Sequence, residues 1–455
     1  MRKRIALLLV LFMIMVNFTG CTNKNSDIVK DNKQEEQEEE NKNQEAEDFT
    51  EECYDKEIKE QRDKIMAQTE NGSFKIGINK KPTADGDYLD VIKDISETFR
   101  GKNSKYVDLR NCDISGCDIS NVKYFDFNTR TVWPENLPDG FNTQEILELN
   151  KNPGLNLRKL HDEGITGKGV NIAIIDYGLL ANHQEFGDRV KYYDEVHYGS
   201  TLAQMHGLAV SSIAVGKNTG VAPEADLYFI ATENYNMHGS ESEIDFSWVA
   251  LAIQRMLKVN EQLPEDDKIR VLSISTMCTP NLKGYDEFME AINEAKAQNI
   301  FVASLNLFET YKYNFQGLAI ERNADKSNID NYSIIDWKDW CAAVSHIGDS
   351  DEYYAEKFKS EKPKDFLLIP VDAKTLASEC GNEDYVFFEQ GGWSWCVPYI
   401  SGLYALCCQV NKDITPEEFW SKALETGDER QFENDGVSCT GKIVNPEKLI
   451  EAVKK

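Results

Sequence analysis

From about residue 141 onward, short apolar runs alternate with stretches of helical spacing. That alternation limits the fold more than anything else in the chain. The runs are VNIAIID (170–176), ADLYFIA (225–231), IRVLSIS (269–275), NIFVASLN (299–306) and WCAAVSHIG (340–348). They are β-rich and continuous rather than alternating, which suits strands covered on both faces. Between several of them lie HGLAVSSIAV, SEIDFSWVALAIQRMLKV and GYDEFMEAINEAKAQ. The last puts Phe288, Ile292 and Ala295 at helical spacing. Strand and helix in turn predict an α/β domain with a mainly parallel sheet. Sites in such folds lie beyond the carboxyl ends of the strands, so candidate chemistry is sought there.

Asp176 closes the first run and is followed by Tyr177-Gly178. An acid at the end of a buried strand needs a partner, because burying it alone is costly; taken by itself it serves equally well as a turn or cap residue. Of six histidines, His206 opens an apolar helical run and is followed by Gly207, which leaves room for close approach. His238 leads into an acidic loop, and His161, His183, His197 and His346 have no comparable setting. Asn306 ends another run, where an amide N–H can face a cleft. Ser394 stands in GGWSWCVPYISGLYAL (391–406). A helix beginning near it would hold Pro398 in its first turn, where the missing N–H does no harm. The helix N-terminus would then favour an oxyanion beside the serine.

The order Asp176, His206, Asn306, Ser394 and the motifs around them resemble the subtilisin-like serine proteases. GITGKGVNIAIIDYGLLANHQEF is similar to their aspartate region, and HGLAVSSIAVGKNTGVAPEADLY to their histidine region. VLSISTM resembles their substrate-binding strand, with Ser275, Thr276 and Met277 as the candidate substrate contacts. NIFVASLN resembles the strand of the oxyanion asparagine, GGWSWCVPYISGLYAL the serine helix, and ITPEEFWSKALETG the closing helix. The resemblance covers roughly 145–455. It implies a three-layer α/β fold and acyl transfer in which Ser394 attacks, His206 moves the proton, Asp176 orients His206, and Asn306 helps hold the oxyanion.

Several residues depart from the family's pattern. Trp393, Trp395 and Cys396 surround the serine, and the two indoles are expected to crowd the cleft. Met277 replaces a usual glycine and is expected to narrow the first specificity pocket, which implies restricted specificity. VGKNTGVAP is shorter than the segment that holds calcium in many relatives. Glu185 supplies a carboxylate near one ligand position, yet no strong site of that type, and no other metal or cofactor, is expected. The stretch YNFQGLAIERNADKSNIDNYSIIDWKDW is additional; it reads as a surface loop, with gating of the cleft as the less favoured role.

The N-terminal third reads differently. MRKR, IALLLVLFMIMVNF and FTGC resemble a bacterial lipoprotein leader (1–20), with Cys21 as the lipidated residue; fourteen apolar-dominated residues are short for a span of roughly 20. Residues 21–50 are a polar, acidic tether too poor in apolar groups to order itself. Residues 51–140 are an accessory region or a propeptide, with the former favoured, and 141–455 the peptidase domain. Within the accessory region, DLRNCDISGCDIS (108–120) repeats every five residues but is too short to stack a solenoid. A net charge of −28 excludes nucleic acid as a partner. The eleven cysteines include no CxxC, and several sit inside apolar runs, so mostly free, buried thiols are expected. The expected protein is therefore exported and lipid-anchored on the outer face of the bacterial cytoplasmic membrane, with a protein or peptide as substrate. The alternative is a non-catalytic binding lipoprotein on the same scaffold. A solute-binding receptor would share the anchor but needs a two-lobe pattern that the sequence lacks.

Overall fold

The computed structural model describes residues 51–84, 90–91, 107–116, 126–238, 241–335, 365–434 and 437–455. The leader and tether, Cys21 among them, and the run at 340–348 lie outside the described residues. The elements that place the site are, in chain order, α1 (Glu51–Glu70), β1 (Phe127–Asn128), β2 (Asn171–Asp176), β3 (Val190–Val196), α2 (Met205–Val215), β4 (Asp226–Thr232), α3 (Ser247–Gln262), β5 (Ile269–Ile274), α4 (Tyr285–Ala297) and β6 (Phe301–Ser304). They continue with β7 (Asn314–Ala319), β8 (Ser333–Ile334), β9 (Phe366–Pro370), β10 (Lys374–Ala377), β11 (Tyr385–Phe388), α5 (Cys396–Val410), α6 (Pro416–Thr426), β12 (Asp428–Asn434), β13 (Val437–Ile443) and α7 (Pro446–Val453).

Strands β2–β6 form an all-parallel sheet in the order β6-β5-β2-β4-β3. Along β2 the side chains alternate between two cores: Ile172 and Ile174 enter one, Ala173 and Ile175 the other. The first core is closed by α2 and α5, the second by α3 and α4. This is the expected α/β architecture in three layers, and it explains why the strands read as continuous apolar runs. The chain passes from β2 to β3 and β4 on one side and to β5 and β6 on the other. The carboxyl end of β2 is thus the point where strand order reverses, the place where such sheets open a crevice.

A second sheet has the order β8-β7-β9-β13-β12; its inner strands are parallel and its outer pairs antiparallel. Here the structure corrects the sequence reading. Within the stretch read as a surface loop, residues 314–319 are β7, paired along its length with β9 and burying Phe315 and Leu318. They belong to the core.

The N-terminal region lies against this body. From α1, Thr69 Oγ1 accepts a hydrogen bond from Arg255 Nε of α3 at 2.8 Å. Residues 77–79 exchange backbone hydrogen bonds with Tyr193 on the edge strand β3, and Thr83 does the same with Thr201 and Ala203. The chain thereby covers an edge that would otherwise be open to pairing. Of the five-residue recurrences, Leu109 and Ile114 are buried in a small cluster with Trp133 and Leu137; Asp118 and Ile119 lie outside the described residues. Strand β1 completes a third, antiparallel sheet in the order β10-β11-β1. Phe127 is fully buried, with ring centroids 5.3 Å from Trp133, 5.3 Å from Phe387 and 6.4 Å from Phe141. A boundary between 140 and 141 passes through this aromatic cluster.

Candidate active site

Asp176 is the last residue of β2, at the reversal point of the sheet. Its Oδ1 accepts the Tyr177 backbone N–H at 2.8 Å and the Nδ1–H of His206 at 2.7 Å. An ionised carboxylate only accepts, so the proton of the latter bond sits on Nδ1 and Nε2 is left as an acceptor. Nε2 lies 3.0 Å from Ser394 Oγ, whose hydroxyl donates to it. The Asp176 side chain is 5% exposed and that of His206 27%, so the carboxylate is out of water while the imidazole stays within reach of a substrate. Burial alone would lower the pKa of His206. The charge and hydrogen bond of Asp176 outweigh it and hold the imidazole above its ordinary 6.5.

His206 is the second residue of α2. The helix starts hard against the end of β2: a Cβ on Gly207 would overlap the carbonyl oxygen of Tyr177. Gly207 is therefore what lets the imidazole approach the carboxylate, as its position in the sequence suggests. Ser394 is the middle residue of a single 3-10 turn, Trp393–Trp395, that runs into α5. Pro398 does lie in the first turn of that helix, which is buried along nearly its whole length.

The indoles beside the serine are placed differently from the expectation. Trp393 and Trp395 are 8% and 4% exposed. Trp393 packs on Phe315 of β7, with centroids 5.6 Å apart, and Trp395 on Phe388 of β11 at 5.3 Å. They point into the core on either side of the turn and pin it, rather than crowding a cleft. The reason is the turn itself, which directs residues flanking Ser394 inward while Ser394 stays half-buried.

Asn306 is also placed differently. Its Oδ1 accepts the Cys278 N–H at 2.9 Å, its Nδ2 donates to the Cys278 carbonyl at 2.7 Å, and the residue is 1% exposed. The amide ties the end of β6 to the segment after β5. The structure thus joins Asp176, His206 and Ser394 by direct hydrogen bonds, while the described bonds of Asn306 go to Cys278. In that same segment Ser275 and Met277 are buried and Thr276 is half-buried; Met277 belongs to the main core.

Among the remaining histidines, the ring Nε2 atoms of His161, His183 and His197 meet the carbonyls of Val221, Asp384 and Tyr235 at 2.8–2.9 Å. These are structural histidines held by backbone carbonyls, with His161 Nδ1 buried and unpartnered. Glu185 is fully buried and accepts hydrogen bonds from the Asn218 N–H and Nδ2 at 2.8 Å, from Thr219 Oγ1 at 3.2 Å, and from the Tyr385 hydroxyl. The Glu185 carboxylate is therefore spent on four donors, three of them in the segment 215–223. Cys278, Cys396, Cys407 and Cys408 are buried thiols, as expected, and burial raises the pKa of each.

Sequence reasoning missed one acid near the serine. Asp372 follows the apolar run FLLIPV, just as Asp176 closes its own strand. Its Oδ1 accepts the Gly391 N–H at 2.8 Å. The same signal, an acid ending an apolar run, would have found it.

The profile of the Subtilase family matches residues 167–306. The chain is 24% identical over 322 residues to Serine protease AprX of Bacillus subtilis (strain 168), covering 63% of this chain and 67% of that protein. It is 34% identical over 89 residues to the Extracellular serine proteinase of Thermus sp. (strain Rt41A), covering 18% of this chain and 22% of that protein. Among solved structures it is similar to the prenylagaramide maturation protease PagA, at 16% identity and a TM-score of 0.43, over 66% of this chain and 98% of that one. The family match and the curated relatives together support the subtilase family for this chain, whose class is that of a serine-type endopeptidase.

Proposed function

We propose that the chain is an exported, lipid-anchored endopeptidase in which Asp176, His206 and Ser394 act as the catalytic triad. The observation that carries this reading is the unbroken hydrogen-bond path from the Asp176 carboxylate through both ring nitrogens of His206 to the Ser394 hydroxyl. Ser394 Oγ attacks the scissile carbonyl carbon while its proton passes to His206 Nε2. The C–N bond then breaks as His206 returns that proton to the leaving amine. Water repeats the sequence on the acyl-enzyme. Asp176 fixes the tautomer and steadies the imidazolium. The Ser394 N–H supplies one oxyanion donor, and Asn306 the other through the amide hydrogen it does not give to Cys278.

Of Ser275, Thr276 and Met277, half-buried Thr276 would line the first substrate positions, with Ser275 and Met277 packed behind it, and a restricted protein or peptide substrate is the expected class. Broad, fast hydrolysis of casein would count against restriction. The chemistry calls on no metal, and a chelator is expected to leave the melting temperature unchanged. The leader and Cys21 would place the enzyme on the outer face of the cytoplasmic membrane, linked by 21–50. Among the described residues no helix is long and apolar enough to cross a membrane. Loss of fatty-acid labelling in Cys21→Ser is the expected result for the anchor.

Labelling with a fluorophosphonate, with Ser394→Ala as control, tests the enzyme reading; no Ser394-dependent labelling would falsify it. A second reading, a non-catalytic peptide-binding protein on this scaffold, draws on the engagement of Asn306 at both ends by Cys278. It predicts peptide binding without labelling.

A further inference from the structure

The turn that carries Ser394 is held from behind by groups outside the triad. The Glu389 N–H donates to Asp126 Oδ1 at 3.0 Å, and the Gly391 N–H to Asp372 Oδ1 at 2.8 Å. The Glu389 carboxylate pairs with Arg322 at 2.9 Å, both side chains being 12% exposed or less. A Cβ on Gly391 would overlap the Val371 carbonyl, so the turn is pressed onto the segment that leaves β9. Three carboxyl groups thus gather under one turn, balanced by Arg322, Lys326 and Lys374. Burial raises the pKa of Asp372 to about 6 and of Glu389 to about 7, and lowers that of Lys374 to about 8.

One of these anchors comes from far away in the sequence. Asp126 immediately precedes β1, and β1 pairs with β11 through Phe127–Phe387 and Asn128–Val386. The Thr129 N–H donates to the Tyr385 carbonyl at 2.9 Å, and Arg130 pairs with Asp384 at 2.6 Å. Phe127, Trp133 and Phe141 pack into one aromatic cluster with Phe387. Residues 126–141 therefore grip the strand whose next residues are the serine turn.

We propose that Asp126–Phe141 is a permanent brace of this turn and that Asp126 is a positioning residue for Ser394. The proposal rests on the reading of Ser394 as the nucleophile. A nucleophile displaced by about 1 Å loses on the order of 100-fold in rate, so an anchor on its turn acts on kcat rather than on substrate binding. It follows that any maturation cut in the active enzyme falls before Asp126.

The test compares Asp126→Ala with Asp126→Asn in the full chain. The amide of Asn still offers an oxygen to the Glu389 N–H; Ala offers nothing. The expected result is a fall of ~10–100-fold in fluorophosphonate labelling rate and in kcat for Ala, KM staying within about twofold, and near-complete rescue by Asn. An Ala variant at the wild-type rate, or an Asn variant as slow as Ala, overturns the proposal. So does a fully active species whose N-terminus lies beyond Phe141. Amide hydrogen exchange over 385–395, measured in a Ser394→Ala background, reads the brace without any activity. Faster exchange in Asp126→Ala but not in Asp126→Asn is expected, and equal exchange in both overturns the idea. Failed labelling together with that exchange difference would instead sink the nucleophile reading and leave the brace standing.

Discussion

The two halves of the site are built on different principles. Asp176, His206 and Asn306 lie within 167–306, the span that matches the family profile, and Asp176 and Asn306 sit at the carboxyl ends of parallel strands. Ser394 lies outside that span, on a turn wedged between β7, β11 and α5. On the first side, sheet topology does the positioning: the reversal at β2 puts an acid at a crevice, and Gly207 lets the next helix close on it. On the second side, private packing does it: two indoles and a set of buried charges. Asp176 and His206 are placed by the sheet and the helix that follows it, whereas Ser394 is placed by side-chain packing around its turn.

The largest effect expected is from Ser394→Ala, which should lower kcat by ~10⁶-fold and leave the melting temperature close to wild type. Activity retained in that variant would break the contrast at its centre. Next is Asp176→Asn, expected to cost ~10⁴-fold in kcat because its amide N–H would face Nδ1 and impose the wrong tautomer. Trp393→Ala probes the other half. It should lower stability by about 3–5 kcal/mol in denaturant unfolding, with an activity loss at temperatures where the protein is still folded. A Trp393→Ala protein as stable as wild type would show that the indole is not a core residue.

The smallest effect is in pH dependence, and it sharpens the first half. His206 must be neutral to accept the serine proton, so activity falls as pH drops through its pKa. That midpoint is expected above 6.5 and should move down in Asp176→Asn, where burial acts without the opposing charge. Stability runs the other way. A histidine raised on folding stabilises below its unfolded pKa, and that contribution is lost as pH rises through the folded value. Across this window the enzyme should gain rate while losing a little stability, measurable as opposed slopes of kcat and melting temperature.

The same division explains what could be read from the sequence. The parallel sheet was legible because strands buried on both faces write themselves as unbroken apolar runs, and β2, β4, β5 and β6 fall where those runs lie. Asp176 and His206 were legible as strand-end and helix-start residues. The second sheet was not. β7 contains Gln316 and Gly317, and the hairpin of β12 and β13 is largely polar, so neither carries a strand's apolar signature. The tryptophans were conspicuous but misread, since sequence gives their neighbours in the chain and not the direction in which a 3-10 turn points them. Asn306 was found as a strand end, yet its bonds to Cys278 depend on a contact 28 residues away.

The serine helix carries one more property. Cys396, Cys407 and Cys408 all lie on α5, and burial keeps each from ionising. A thiolate is the species that reacts, so none of the three is open to a reagent while the helix stays packed. They form an internal stopwatch: the rate at which they take up a thiol reagent reports how often the heart of the molecule opens. Because that helix follows directly from the Ser394 turn, the same clock would show whether a change at the active site has loosened the body beneath it.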